Sequence, residues 1–194
     1  MGSPLVRAAP AIGQSGAIRY LRAKRPAGTL VRVLTSGQGA AYSFVTRWHV
    51  EAPIDRVWDV LFDADAYPRW WSSVLSATEL EKGGPDGLGK VGRFVWKAPL
   101  GYRLRFDLRL TTVDRPTRFG GPATGDLEGT GYWTLRQADG VTDVRHDWNV
   151  STNLGWMNLL APLARPVFKR SHTEVMSTGA AGLADLLGVR VVQL

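Results

Sequence analysis

The chain of 194 residues contains no cysteine. This absence excludes disulfide bonds, thiolate metal ligands and cysteine nucleophiles. It also fits a reducing compartment, so we expect a cytoplasmic protein. The sequence lacks an apolar run of about 18 residues, which is the length that marks a transmembrane helix, and no integral membrane segment is predicted.

Histidine is scarce, with three residues at His49, His146 and His172. The spacing of the last two does not build a metal site or a catalytic triad. His172 and Glu174 are two residues apart on a predicted helix, so they point to different faces. His146 and Asp147 are neighbours on a predicted strand and face opposite sides of the sheet. We therefore predict no metal site and no bound cofactor.

Acidic residues are missing from residues 1–41, which hold six of the 24 basic side chains. The rest of the chain carries 18 basic against 17 acidic side chains, so the net charge of +7 comes almost entirely from this leader. A nucleic-acid-binding domain carries its own basic face, and no nucleic-acid partner is predicted. The apolar residues of the leader are scattered among Gly, Pro and Ser without a helical or strand period, which favours a disordered tail or a mis-assigned start site over a mitochondrial transit peptide.

Two glycine-rich patterns match phosphate-binding motifs in part. "GPDGLGK" at residues 84–90 has the spacing of a P-loop, and "GLGKVG" at residues 87–92 has the spacing of a dinucleotide-binding loop. Both motifs require a helix whose N-terminus faces the phosphates. A predicted strand follows these residues instead, so we interpret them as the connection of a hairpin.

Ordered structure is predicted from residue 42 to the end of the chain, as one domain. The stretch "YSFVTRWHV" alternates between apolar and polar residues and predicts a strand, and "APIDRVWDVLFD" then follows the helical period. A second short helix or turn follows at "DADAYPRWWSSV". Six strands are then predicted at residues 74–81, 93–98, 102–113, 117–127, 131–137 and 142–152, separated by turn residues.

The C-terminal region is predicted to be helical. The stretch "NLGWMNLLAPLA" is predicted to form a short segment of its own. Pro166 is then expected to open a long helix that runs to about Leu187, and Gly188 is a stop signal. One stripe of this helix carries Phe168, His172, Val175, Met176, Gly179, Leu183 and Leu186. Gly179 and Gly182 are expected to let the far end of this helix approach the sheet closely. A curved antiparallel sheet must cover its apolar face, and this helix is the available cover. The predicted fold class is therefore α+β.

Tryptophan is abundant, and four of its eight residues lie between residues 44 and 71, around the first helix. A buried indole N–H needs a hydrogen-bond partner, so a compact core favours leucine and isoleucine. We therefore expect these aromatic residues to help form the wall of an internal cavity.

The order of elements, together with four stretches of sequence, resembles the START-like helix-grip superfamily, also called SRPBCC. Within it, the sequence is most similar to the polyketide cyclase/dehydrase and lipid-transport branch. The stretches are "APIDRVWDVLFDADAYPRWW", "GDLEGTGYWTL", "RHDWNV" and "WMNLLAPLARPVFKRSH". The resemblance implies a seven-stranded sheet that grips a C-terminal helix around an apolar cavity. It also implies diverse roles, including lipid carriers, cyclases and hydroxylase modules.

The predicted partner is thus an apolar or aromatic small molecule. The candidate ligand-binding residues are Trp70, Trp96, Leu104, Phe106, Leu108, Trp133, His146, Trp148, Phe168, His172 and Met176. One alternative is a cyclase or aromatase in which His146 or His172 exchanges protons with a polyketide-like substrate. Another is an interaction module with a vestigial cavity. The sequence does not determine the oligomeric state.

Overall fold

The structure, a computed structural model, describes residues 41–99 and 101–194, and of residues 156–167 it describes the backbone only. The predicted basic leader, apart from Ala41, lies outside the described residues. Ala41 already belongs to the first strand.

One antiparallel sheet of nine strands dominates the described part of the chain. The strands are β1 (Ala41–Val50), β2 (Val74–Glu81), β3 (Val91–Lys97), β4 (Arg103–Arg109), β5 (Thr112–Asp114), β6 (Arg118–Gly125), β7 (Leu127–Ala138), β8 (Val141–Thr152) and β9 (Val191–Gln193). Their order across the sheet is β2-β3-β4-β6-β7-β8-β1-β9, and β5 pairs with β6 alone. The predicted α+β helix-grip architecture is confirmed.

Helices cover the apolar face of the sheet. The described helices are α1 (Ile54–Phe62), α2 (Tyr67–Trp70) and α3 (Gly155–Leu187), with a 3₁₀ turn at Ala64–Ala66. Val57, Trp58 and Leu61 of α1 are fully buried, as the helical period predicts. None of the helices in the described residues combines the length and the apolar character needed to cross a membrane.

The structure differs from the sequence-based expectation at three elements. The predicted strand at residues 102–113 is divided into β4 and β5, because the chain loses β3 as a neighbour after Arg109. A ninth strand, β9, follows the last helix and pairs with Trp48–Val50. It is only three residues long, which is too short for a recognisable alternation.

The third difference is the start of α3, which begins at Gly155 rather than at Pro166. A proline removes one backbone hydrogen bond and can bend a helix without ending it. The predicted end is confirmed, because Gly188 has a positive φ of 64° and its N–H bonds to the carbonyl oxygen of Ala184.

Candidate functional site

A cavity of about 160 Å³ lies between the concave face of the sheet and α3. Side chains of β1, β3, β4, β7, β8 and α3 line it, together with Phe62 at the end of α1 and Tyr67 of α2. The lining is mostly aromatic and aliphatic, because the strands turn their alternate apolar residues toward this space. On β3, for example, Gly92, Phe94 and Trp96 line the cavity.

Ten of the eleven residues selected from the sequence line this cavity. They are Trp96, Leu104, Phe106, Leu108, Trp133, His146, Trp148, Phe168, His172 and Met176. These residues could be selected from the sequence because side chains return to the same face every two residues on a strand and every 3.6 residues on a helix.

Trp70 is the exception and does not line the cavity. Trp70 is the last residue of α2 and packs against α3. A Cβ added at Gly182 of α3 would overlap the backbone carbonyl oxygen of Trp70. The adjacent Trp71 is fully buried, and its indole N–H donates a 2.9 Å hydrogen bond to the carbonyl oxygen of Val175. These two tryptophans therefore dock α3 instead of facing a ligand.

The other two tryptophans near α1 are also core residues. Trp48 and Trp58 are each 1% exposed, and neither lines the cavity. Trp58 packs against Phe62 and Phe119, with ring centroids 5.2 and 5.0 Å away. The tryptophans that surround the cavity come from later strands, so the expectation is wrong for the four tryptophans of residues 44–71. Phe44, Phe62 and Tyr67 of the same stretch do line the cavity.

His146 lies at the centre of the sheet, on β8. It is opposite Thr46 of β1 and Trp133 of β7 in the strand register. Its imidazole ring stacks with two indoles, 4.1 Å from Trp133 and 5.7 Å from Trp148 between centroids, with interplanar angles of 27° and 23°. The side chain is therefore buried among aromatic rings.

Trp148 can take this position because the facing residue on β7 is Gly131. A Cβ at Gly131 would overlap the ring of Trp148, so any larger residue would displace the indole. The glycine thus gives the Trp148 ring room beside the cavity.

His172 reaches the cavity from α3. Its imidazole stacks on Phe44 of β1, with ring centroids 4.1 Å apart and an interplanar angle of 7°. The side chain lies one helical turn from Phe168 and one from Met176, and all three line the cavity.

Burial keeps both histidines uncharged at neutral pH. Burial and, to a smaller extent, the neighbouring His172 lower the pKa of His146 to about 3, although Asp147 acts in the opposite direction. Burial also lowers the pKa of His172 to about 4. A neutral imidazole has one donor and one acceptor nitrogen, so each ring is suited to hydrogen bonding with an uncharged polar group.

Hydroxyl groups line one end of the cavity, where sequence reasoning selected none. Ser171 of α3 is 5% exposed and hydrogen-bonds to the phenol of Tyr102. Burial raises the pKa of Tyr102, the bond to Ser171 lowers it, and the nearby Tyr42 raises it, with a net increase. No local pattern identifies Ser171 and Tyr102, because tertiary contact brings them to the cavity.

An ion pair lies at the other end of the cavity. Lys90 is 2.7 Å from a carboxylate oxygen of Asp65 and 3.1 Å from one of Glu79. Burial lowers the pKa of Lys90, but the hydrogen bonds and charges of these two carboxylates outweigh this and raise it. The positive charge of Lys90 is therefore already neutralised.

Two buried polar atoms of the lining have no hydrogen-bond partner among the described residues. They are Nδ1 of His146 on β8 and Nε1 of Trp96 on β3. An unpaired buried polar group costs about 1–3 kcal/mol, so such groups usually have a partner.

The comparisons agree with this architecture. The family model described as polyketide cyclase/dehydrase and lipid transport matches residues 41–188. No curated protein matches the chain.

Solved structures share the fold at low sequence identity. A protein of Thermus thermophilus is 15% identical, with a TM-score of 0.61 over 75% of this chain and 99% of its own. A START superfamily protein from Mycobacterium smegmatis is 16% identical, with a TM-score of 0.56 over 76% of this chain and 94% of its own. The Zhui aromatase/cyclase from Streptomyces sp. R1128 is 19% identical, with a TM-score of 0.58 over 74% of this chain and 92% of its own. Because the family model covers residues 41–188, which include α3 and all strands but β9, the chain belongs to the polyketide cyclase/dehydrase and lipid-transport family.

Proposed function

We propose that the protein binds a hydrophobic or aromatic small molecule, of lipid or polyketide type, inside the cavity. One observation carries the proposal: the strands and helices of the fold surround a space of about 160 Å³ with apolar side chains. A close-packed core leaves few voids larger than a water molecule, and about 10–15 Å³ is enough for one water. An apolar space with a few polar groups is the usual form of a small-molecule site.

The charge state of the histidines favours binding over proton-transfer catalysis. A cyclase or aromatase that used His146 or His172 as acid or base would need a pKa near the working pH. The two values of about 3 and about 4 lie well below that range. A neutral imidazole with so low a pKa is a weak base but a good hydrogen-bonding group.

The third alternative, an interaction module with a vestigial cavity, requires a filled core. The space between the sheet and α3 argues against it. We place the activity in the cytoplasm because the chain has no cysteine, whereas compartments that form disulfides commonly use them.

An uncharged, environment-sensitive naphthalene ketone, 6-propionyl-2-dimethylaminonaphthalene, tests the proposal by fluorescence titration. The cavity-lining change Leu108→Trp adds bulk to the cavity, and Leu80→Trp is its matched control, because Leu80 is 44% exposed and lies outside the cavity. We expect saturable binding to the wild type and to Leu80→Trp, and at least tenfold weaker binding to Leu108→Trp. A wild type that does not bind, or two variants that bind alike, would contradict the proposal. Native mass spectrometry of protein purified from its own host would then identify the ligand.

A further inference from the structure

A second space lies outside the cavity, at the end where Lys90 is found. This outer groove has a volume of about 480 Å³ and is lined by Trp58 and Phe62 of α1, by residues 82–87 between β2 and β3, and by Lys90. Phe62 and Lys90 also line the cavity itself. These two side chains therefore stand between the apolar interior and the surface of the protein.

The ammonium of Lys90 bridges this boundary. It is 2.7 Å from a carboxylate oxygen of Asp65, which lines the cavity, and 3.1 Å from one of Glu79, which lines the outer groove. The backbone of Lys90 is fixed, because its N–H bonds to the carbonyl oxygen of Gly87 and its carbonyl oxygen accepts the N–H of Leu110. Movement at this point therefore falls to the long side chain of Lys90.

Phe62 occupies the rest of the boundary and is held more firmly. Its ring packs on Trp58 and Phe119, with ring centroids 5.2 and 5.3 Å away. The ring also lies against the loop, because a Cβ added at Gly87 would be 2.7 Å from it. Contacts with its own helix, a strand and the loop thus fix Phe62, whereas ion pairs fix the side chain of Lys90.

The two ends of the cavity differ in how easily they can open. At the end with the hydroxyl groups, Tyr42, Phe168 and Ser171 are all buried. At the other end the side chain of Lys90 is 21% exposed, and its two carboxylate partners are 42% and 33% exposed. Ion pairs this exposed contribute little to stability, and exposed side chains change rotamer within nanoseconds. The end at Lys90 is therefore the easier one to open.

On the basis of the proposed function, we propose that Lys90 is the gate of the cavity and that the ligand enters and leaves between Lys90 and Phe62, through the outer groove. In the closed arrangement the ammonium of Lys90 bridges Asp65 and Glu79. Opening requires the ammonium to leave these carboxylates and turn into the solvent, where it stays hydrated.

A gate has a kinetic signature. The same passage serves both directions, so the gate sets the rates of binding and release. The equilibrium affinity depends only on the free and bound states and is left unchanged. A residue that instead contacts the bound ligand acts mainly on the dissociation rate, and so changes the affinity.

Stopped-flow fluorescence with 6-propionyl-2-dimethylaminonaphthalene tests the gate in the full chain. The change Lys90→Ala removes the side chain that closes the boundary. We expect the association and dissociation rate constants both to rise at least threefold, and the Kd from equilibrium titration to stay within twofold of the wild type.

A second variant releases the gate without shortening it. In Asp65→Asn/Glu79→Gln the ammonium of Lys90 loses both charged partners, and both rate constants should again rise with an unchanged Kd. Arg93→Ala is the matched control, because it breaks an exposed ion pair, 2.7 Å from Asp107, and lines neither space. It should leave both rate constants at the wild-type values.

The outcomes separate the gate from the binding function. If the dye binds the wild type but both gate variants exchange it at the wild-type rates, the gate is overturned and the binding function stands. The same holds if Lys90→Ala raises the dissociation rate alone, since Lys90 is then a ligand contact. Faster exchange in Tyr102→Ala, with wild-type rates in Lys90→Ala, would move the passage to the opposite end. A dye that does not bind the wild type would overturn both proposals.

Discussion

His146 and His172 are enclosed by aromatic rings, and this enclosure makes their protonation depend on folding. The pKa of His146 falls from 6.5 to about 3 and that of His172 from 6.5 to about 4. Between these values and 6.5, the unfolded chain binds protons that the folded chain does not. Folding stability therefore rises with pH through this window and is lost as the pH falls.

We predict that the free energy of unfolding decreases between about pH 6.5 and pH 5, by about 1 kcal/mol per pH unit for each histidine. This range lies above the ordinary pKa of 3.8 of Asp107 and Asp147, whose pKa values are also lowered, chiefly by hydrogen bonds to Arg93 and Arg145. Urea unfolding at several pH values measures the slope. The double variant His146→Phe/His172→Phe should lose most of it, and a double variant with the wild-type slope would contradict the prediction.

A second prediction concerns His172 alone. The change His172→Phe keeps an aromatic ring that can still stack on Phe44, so we expect the melting temperature to change by less than roughly 5 °C. A ligand with a polar group should bind more weakly, because the ring loses its nitrogen atoms. Thermal melting and titration with a neutral naphthalene ketone measure the two effects. Loss of about 1–3 kcal/mol of stability with unchanged affinity would instead identify His172 as a core residue bonded to a neighbour.

The sequence correctly predicts the orientation of some single residues but not of others. The period of strands and helices places His146 and His172 on inward faces, because that inference needs only local backbone geometry. Trp70 and Trp71 lie at the end of a four-residue helix, which has too few turns to define a face. The bond from Trp71 to Val175 joins residues 104 positions apart, and no local pattern contains it.

At the scale of elements, α3 approaches α2 through two glycines. A Cβ at Gly179 would overlap the ring of Trp71, and one at Gly182 would overlap the carbonyl oxygen of Trp70. The expectation from the sequence was that these glycines let α3 approach the sheet. The structure places them against the short helix instead, so α2 is held between the sheet and α3.

We predict that Gly182→Ala destabilises the protein by about 1–3 kcal/mol, the usual cost of overpacking a filled contact. The intrinsic helix propensity would predict the opposite sign, because alanine is favoured over glycine by about 1 kcal/mol inside a helix. The change Gly155→Ala in the same helix is the control, because a Cβ there meets nothing within 4 Å. Chemical denaturation measures both, and a Gly182→Ala protein as stable as the wild type would disprove the close contact.

The elements themselves were predictable to different extents. Strand β2 has the predicted bounds of residues 74–81, and the helical period of α1 correctly indicates its buried residues Val57, Trp58 and Leu61. The start of α3 at Gly155 does not follow from the sequence, because Pro166 favours a helix start at its own position and the continuous helix overrides that preference. The short strand β9 depends on pairing with β1, which only the folded chain provides.

At the scale of the whole molecule, the sheet and α3 form one core that is incomplete at its centre. The buried apolar side chains of the described residues extend from Tyr42 to Leu183 and include those next to the cavity. A ligand that fills the cavity would complete this core and bind only the folded chain. The melting temperature is therefore expected to rise with ligand concentration, as linkage requires.

The last prediction concerns the basic leader. The core described between Tyr42 and Leu183 supplies its own sheet, cover and helix contacts, and its charge is nearly balanced once residues 1–41 are set aside. We therefore predict that a protein lacking residues 1–40 folds and melts within roughly 5 °C of the full chain, which corresponds to about 1–2 kcal/mol for a domain of this size. Its affinity for a neutral naphthalene ketone should also be unchanged. Differential scanning calorimetry and titration of both proteins test this, and a larger drop in melting temperature would assign residues 1–40 a part in the fold.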